Sequence, residues 1–522
     1  MRIRPVTRRA AVAAAVCAAA VAAACSSGSD SADFTATAGQ PLVIGLDELL
    51  AKTGGHAAVA VADPQHGTLT RRTDGALVYT PAAGYTGSDS ITVTTTDAVR
   101  LFTTDIAPLG DFGGVPVQAS AYGSAFTPVP GSHDEFYGLT DRGPNVDGKA
   151  KNEKIAPVSG FTPQIAKFKL VGNKAVVEST ILLKNPAGQP FNGLVDTSAS
   201  TGETMRDLNG NVLPPTDHGI DSEGLVALSD GSFWVSDEYG PFLVHFDAKG
   251  SELERLAPGR GLPKELSFRT PNQGMEGLTV TPDGNTLVGV IQSALSEPGV
   301  TNSKETPVTR IVTVDLKTKA VKEFALPLED PKQKLAVSEI TALSPTTFLI
   351  DERDGNKAPK ANKKLWTVDI SAATDIGPDA KVPGAQYDPD KGILIDGKPL
   401  EVYVGNVTTA DGIAALKKAG ITPVEKKSNL DLGALLDGLN PDGKFFGHDK
   451  IEGVATTDGG KTLYISNDSD FGLEALTGDQ PPYGLKAKIL PNGVQDTGEI
   501  LAVDTTKLPA KTQTKTVTLT VK

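Results

Sequence analysis

Along the last four-fifths of the chain, short apolar runs alternate with polar turns in a phrase that recurs four times. Each copy has an acidic start, an apolar run, a turn, a second apolar run, and a polar or acidic end. The first is Asp221-Ser222-Glu223-Gly224-Leu225, then Phe233-Trp234-Val235-Ser236-Asp237-Glu238-Tyr239. The second is Met275-Glu276-Gly277-Leu278-Thr279-Val280, then Leu287-Val288-Gly289-Val290-Ile291-Gln292. The third is Ser338-Glu339-Ile340-Thr341-Ala342-Leu343, then Phe348-Leu349-Ile350-Asp351-Glu352-Arg353. The fourth is Ile451-Glu452-Gly453-Val454-Ala455, then Leu463-Tyr464-Ile465-Ser466-Asn467-Asp468.

Runs of this length between Gly, Asp and Ser turns predict antiparallel strands. Third runs such as Arg310-Ile311-Val312-Thr313-Val314-Asp315 and fourth runs such as Ala320-Val321-Lys322-Glu323-Phe324-Ala325-Leu326 complete the units. Four strands per period of roughly 40–50 residues predict propeller blades. A diverged copy fits 119–183, giving five recognisable blades; a sixth has room where the pattern breaks. In antiparallel neighbours the start of one strand lies beside the end of the next. The acidic start and the polar end of every unit therefore share one edge, and in a radial array those edges share one face.

The pattern breaks at 184–218, which is rich in turn residues, and at 373–448, where two helical stretches (410–419 and 430–439) interrupt the strands. Ile421-Thr422-Pro423-Val424-Glu425-Lys426-Lys427 is the candidate for a delayed fourth strand. Insertions of this kind are expected over one face, as binding loops. Ahead of the repeats, 35–107 carries β-rich runs such as Leu77-Val78-Tyr79-Thr80 between turns and predicts a small β-sandwich. The propeller is assigned to 112–522. The fold class is all-β: a propeller preceded by an Ig-like sandwich.

The first 25 residues change the picture of location. Arg2, Arg4, Arg8 and Arg9 precede an apolar stretch at 10–24 that is too short to span a membrane. Val21-Ala22-Ala23-Ala24-Cys25 resembles a bacterial lipoprotein processing site with Cys25 as the lipidated residue, followed by a Ser/Gly-rich tether at 26–34. Ordinary cleavage at Ala-x-Ala is the other reading. An exported protein anchored to the outer face of a membrane is expected. Cys17 leaves with the leader, so the mature chain has no internal disulfide, and its formal charge moves from −13 to −17. That charge argues against a nucleic-acid partner. A monomer acting on a small molecule is expected.

Several segments carry a family resemblance. Gly75-Ala76-Leu77-Val78-Tyr79-Thr80-Pro81 with Gly84-Tyr85-Thr86-Gly87-Ser88-Asp89-Ser90 resembles cadherin-like or bacterial Ig-like repeats. Thr140-Asp141-Arg142-Gly143-Pro144, Arg269-Thr270-Pro271-Asn272-Gln273-Gly274-Met275-Glu276-Gly277, Lys450-Ile451-Glu452-Gly453-Val454 and Ser466-Asn467-Asp468-Ser469-Asp470-Phe471-Gly472 resemble the phytase-like domain described as "esterase-like activity of phytase". The resemblance covers 112–522 and implies hydrolysis of a phosphomonoester or another ester.

The repeats gather Glu223, Glu276, Glu339 and Glu452 from strand starts, and Asp141, Asp237, Glu238, Asp351, Glu352 and Asp468 from strand ends. Carboxylates crowded together raise one another's pKa unless a cation intervenes. An all-oxygen set suits Ca²⁺. Glu223, Glu276, Glu339, Glu452, Asp141, Asp351 and Asp468 are the candidate ligands. A bound Ca²⁺ would polarise a phosphoryl or carbonyl oxygen and aid water delivery. The alternative is that each acid only bonds backbone N–H groups at a blade turn.

Glu223, Asp237, Glu238, Glu276 and His218 are the catalytic candidates. Arg142, Arg353 and Arg269, with Tyr239 on the rim, are the substrate-binding ones; for the arginines the rival role is an ion pair with a neighbouring Glu. No Gly-x-Ser-x-Gly, His-Glu-x-x-His or paired Cys-x-x-Cys occurs, so neither a serine elbow nor a familiar zinc site has support. A calcium lactonase and a non-catalytic propeller binding envelope glycans or a protein are the alternatives.

Overall fold

The computed structural model describes residues 32–199 and 202–522; the expected leader, Cys25 and most of the tether lie outside the described residues. Five four-stranded blades surround one axis. Blade one comprises Ala125–Pro128, Glu135–Leu139, Gln164–Val171 and Lys174–Leu182. Blade two comprises Ser222–Ala227, Phe233–Asp237, Phe242–Phe246 and Glu252–Pro258; blade three, Met275–Val280, Thr286–Ile291, Val308–Asp315 and Val321–Pro327. Blade four is built from Ala336–Ala342, Thr347–Arg353, Lys363–Asp369 and Glu425–Asp431. Each innermost strand packs on the next, and the fifth, Ile451–Ala455, returns to the first, so the ring closes at five.

Closure uses a strand from outside the repeats. Blade five is Ile451–Ala455, Thr462–Asn467, Glu499–Asp504 and then Val99–Thr103, which pairs antiparallel with Glu499–Asp504. The C-terminus reciprocates. Thr512–Val521 leaves the propeller and runs through the small domain, pairing over its whole length with Gly87–Thr96 and along its end with Phe34–Ala36. Val99–Thr103 therefore sits across the expected boundary in the propeller, and Thr512–Val521 sits in the sandwich. The physical reason is edge protection: each strand covers an open sheet edge of the other unit. A second sheet, Leu42–Ile44, Leu77–Pro81 and Gly67–Arg71, completes the sandwich. Val517, Leu519 and Val521 are buried with Tyr79, Ile91 and Val93 in its core.

The two units also share apolar contacts. Ala57 and Val59 of the sandwich pack in one cluster with Leu436, Leu439, Phe445 and Phe446. Asn440 Nδ2 donates to the Val59 carbonyl at 2.8 Å.

The 373–448 insertion contains the helices Thr409–Lys418 and Leu432–Leu439, close to the expected spans, and delivers Glu425–Asp431 as the late fourth strand of blade four. It docks on the flank of blade three, not over the face. Arg310 reaches Glu323 at 2.8 Å and takes both oxygens of Glu401 at 3.0 and 2.8 Å, all fully buried. Such a fork fixes orientation as well as position.

Candidate functional site

Each of blades two to five begins with a β-bulge at or beside its acidic residue. In blade two the register slips between Ser222 and Leu225, in blade three between Met275 and Leu278, in blade four between Val337 and Glu339, and in blade five between Ile451 and Gly453. A bulge bends the strand and re-aims a side chain. Glycine after the Glu allows the next blade to close in. A Cβ on Gly224 would lie 2.6 Å from the Leu278 backbone nitrogen, and one on Gly277 would lie 2.5 Å from the Ile340 nitrogen. Gly453 meets Phe126 of blade one in the same way. The Glu-Gly pair thus joins a packing device to a functional side chain.

The result is a cavity of about 450 Å³ at the axis, on the face where inner strands start. Asp141, Arg142, Asp221, Glu223, Glu238, Glu276, Gln292, Arg353, Lys450, Glu452, Asp468 and Asp470 line it. Ten of its lining residues are acidic and six basic, so it carries excess negative charge that protons or a cation must offset. One carboxylate oxygen each from Asp221, Glu223 and Glu238 lies within 4.8 Å of the other two. Asp221 is 1% exposed and accepts no hydrogen bond on either oxygen; Arg142 Nη1 stands 3.3 Å from its Oδ2. Gln292 donates to Glu276 Oε1, while the buried Glu276 Oε2 has no partner.

Burial is the largest cause of the raised carboxyl pKa values here. Glu238 is pushed up to about 8, with Asp221 the next contributor and Arg142 and Arg269 opposing. Glu223 and Glu276 are held well above the usual range by burial, then by the surrounding carboxylates. Asp141 rises through burial, then Asp468 and Asp221; its Oδ1 accepts the Gly143 N–H at 2.9 Å. Asp468 is pushed to about 7, with Lys450 opposing.

Several sequence candidates lie elsewhere. Strand alternation explains Asp237: its neighbour Glu238 points into the cavity, whereas Asp237 Oδ1 turns back to the backbone N–H groups of Asp221 at 3.1 Å and Tyr239 at 2.8 Å. Asp237 therefore shapes the turn that presents Asp221 and Glu238. Asp351 is buried and does not line the cavity; Arg353, two residues on along the same strand, does. Glu339 also stays outside, accepting the Ile340 N–H at 2.8 Å, and its blade has Ile340 where the others have glycine. His218 is on the surface with Asp217 at 2.8 Å.

Among the proposed substrate contacts, Arg269 spends Nε and Nη2 on the Tyr239 carbonyl at 2.9 and 2.6 Å. Tyr239 is 2% exposed, donates to the Gly193 carbonyl at 2.7 Å and receives Arg142 Nη1 at 3.4 Å. Both are props for Arg142. Arg142 and Arg353 do reach the cavity, yet Arg142 is paired with Glu203 and Asp221, and Arg353 with Glu452. Neither long insertion contributes a lining residue among its described residues; the 141–154, 271–273 and 468–474 loops form the mouth.

Asp221, Gln292, Asp470 and Lys450 were not selected from the sequence. Alignment of the repeats held the signal. The residue two before the acidic Glu is Asp221 in blade two and Lys450 in blade five; the residue after the second strand is Glu238, Gln292 and Asp468 in blades two, three and five.

The family described as "esterase-like activity of phytase" matches residues 121–471, and the bacterial Ig domain family matches 20–107. An uncharacterized secreted protein of Arthroderma benhamiae is 27% identical over 337 residues, covering 51% of this chain; the match spans 65% of that protein's own length. Among solved structures, the Pseudomonas aeruginosa periplasmic gluconolactonase aligns at 10% identity over 85% of this chain and 96% of its own, with a TM-score of 0.29. Hydrazine synthase of Kuenenia stuttgartiensis aligns at 11% identity over 72% and 99%, with a TM-score of 0.30.

Proposed function

From the premise that this chain belongs to the phytase-like family described as "esterase-like activity of phytase", we propose that the axial pocket is the hydrolytic centre for a phosphate ester or related ester, working with Ca²⁺. The observation that carries this reading is the convergence of the buried carboxylates of Asp221, Glu223 and Glu238, one oxygen of each within 4.8 Å of the others, with a single cationic side chain, Arg142, against Asp221. Buried carboxylates of this kind need a partner. An oxygen-only donor set fits a hard cation such as Ca²⁺. When bound, that cation would act as a Lewis acid toward the scissile group and offset the charge of an anionic substrate.

The chain's own residues supply the rest. Glu276 is anchored through Oε1 by Gln292, which leaves Oε2 as the place for a proton. Burial, then the adjacent carboxylates, raise the affinity of Glu276 for that proton. In hydrolysis, water adds to phosphorus or carbonyl carbon, the bond to the alcohol oxygen breaks, and the leaving alcohol takes the Glu276 proton. The proton lost by water restores the acid. Arg142 orients Asp221, and Arg353 orients Glu452, through their ion pairs.

We place the protein outside the cytoplasm, held at a membrane surface by lipid on Cys25. The leader, the bacterial Ig-like domain and the secreted relative support export. Purified protein with calcium, assayed on phosphomonoester, carboxyl-ester and lactone panels, tests the function. Turnover of one ester class that is lost in Glu223→Ala and Glu276→Ala is expected. No turnover on any panel by protein shown to bind calcium would overturn it and leave a binding propeller.

A further inference from the structure

The geometry points to Lys450 as the residue that anchors the anionic group of the substrate, in the same cavity as the candidate cation site. This inference rests on the hydrolytic reading of the same pocket. Of the two arginines that the sequence singled out, Arg142 is 5% exposed and committed to Glu203, Asp221, Tyr239 and Asn272, while Arg353 is 10% exposed, pairs through Nη2 with Glu452 and keeps its Nε buried without a partner, so neither presents an exposed donor as Lys450 does. The Lys450 side chain is 34% exposed and lines the cavity. Its ammonium has three N–H donors. Asp468 Oδ2 takes one at 2.8 Å and Asp470 Oδ1 another at 2.5 Å, leaving one for a ligand.

The placement follows from the repeat. Lys450 holds in blade five the position that Asp221 holds in blade two, and those blades are not neighbours in the ring. The Asp221 cluster and the Lys450 ammonium therefore line the same cavity from two blades that are not adjacent. An ester with an anionic group can span the two.

Lys450 is also held more firmly than a surface lysine. Asp470 bridges it to Lys488, whose Nζ lies 2.7 Å from Asp470 Oδ2 and 3.6 Å from Asp496. Asp496 pairs with the buried His448 at 3.2 Å, His448 reaches Glu499 at 3.1 Å, and Glu499 meets Arg71 of the sandwich at 3.3 Å. Charge alternates along the entire chain of contacts. Asp470 and Phe471 adopt left-handed backbone conformations, at φ 48° and 54°. Strain of this kind persists where the surroundings over-determine it and gathers at functional sites. Here it presents the Asp470 carboxylate to both lysines.

The test titrates inorganic phosphate into the full-length protein in dilute calcium, with calcium binding measured separately. Lys450→Gln should weaken phosphate binding at least about tenfold, the loss expected for one charge-assisted hydrogen bond. Lys450→Arg should restore most of it, and both variants should keep calcium binding. Equal phosphate affinity in Lys450→Gln and wild type overturns the inference, as does a wild type that binds calcium but not phosphate. A wild type that binds neither overturns the hydrolytic reading itself. Acetylation of Lys450 in the wild type, read by mass spectrometry, gives a measurement independent of variant folding. Phosphate should slow it, and an unchanged rate counts against the proposal.

Discussion

Replacing Glu238 by Gln should stabilise the calcium-free propeller while impairing its response to calcium. Glu238 is 3% exposed, and burial with Asp221 lifts its pKa from 4.5 to about 8. An acid whose folded pKa is raised binds more protons folded than unfolded, so its contribution to stability falls as pH rises from the unfolded value to the folded one. At 1.36 kcal/mol per pH unit, the burden is about 3 kcal/mol at pH 7 and about 5 kcal/mol above pH 8.5. Gln keeps the shape without ionising, so the variant should gain up to that amount. The gain should vanish near pH 4.5 and grow through pH 8. Both tryptophans, Trp234 and Trp366, lie in blades two and four, so denaturant unfolding followed by their fluorescence reports on the propeller. Calcium at 100 times its Kd should stabilise the wild type by about 2.7 kcal/mol, and the variant by much less. A variant of unchanged or lower stability from pH 6 to 8 without calcium would refute the electrostatic reasoning.

Gly224→Ala should lower propeller stability by about 1–3 kcal/mol, the range for overpacking, because its Cβ would meet the Leu278 backbone at 2.6 Å. Thermal unfolding checks this. Deletion of 511–522 should unfold the sandwich, since it removes the buried Val517, Leu519 and Val521 at about 1.5–3 kcal/mol each; limited proteolysis should then cut within 34–96. His218→Ala should leave ester turnover and calcium affinity within about twofold, as expected for a surface substitution away from the site.

The repeat phrase exposed five blades and their shared face, because alternation and turn residues are local signals; it left room for a sixth blade, and it placed the late strand of blade four at 421–427 where the strand runs over Glu425–Asp431. The exchange of Val99–Thr103 and Thr512–Val521 was not legible: a strand's partner is set by which sheet edge is open, and both runs suit either unit. Glu223, Glu238, Glu276, Glu452, Asp141 and Asp468 reached the pocket as the repeat geometry required. Asp237 and Asp351 did not, because one position along a strand reverses a side chain and two move it out of the cavity's reach. Arg269 and Tyr239 lie near the pocket in sequence and space, yet backbone carbonyls claim their donors. Lys450 was overlooked because a lone lysine beside an acidic repeat resembles a solvated surface residue until the blades are superposed.

The most direct test of the account is a crystal structure of the protein grown with calcium, with the ion identified by anomalous scattering. The account predicts one ion bound by Asp221, Glu223 and Glu238, with the Lys450 ammonium lining the same pocket. An empty triad at saturating calcium, or an ion bound only elsewhere, would contradict it.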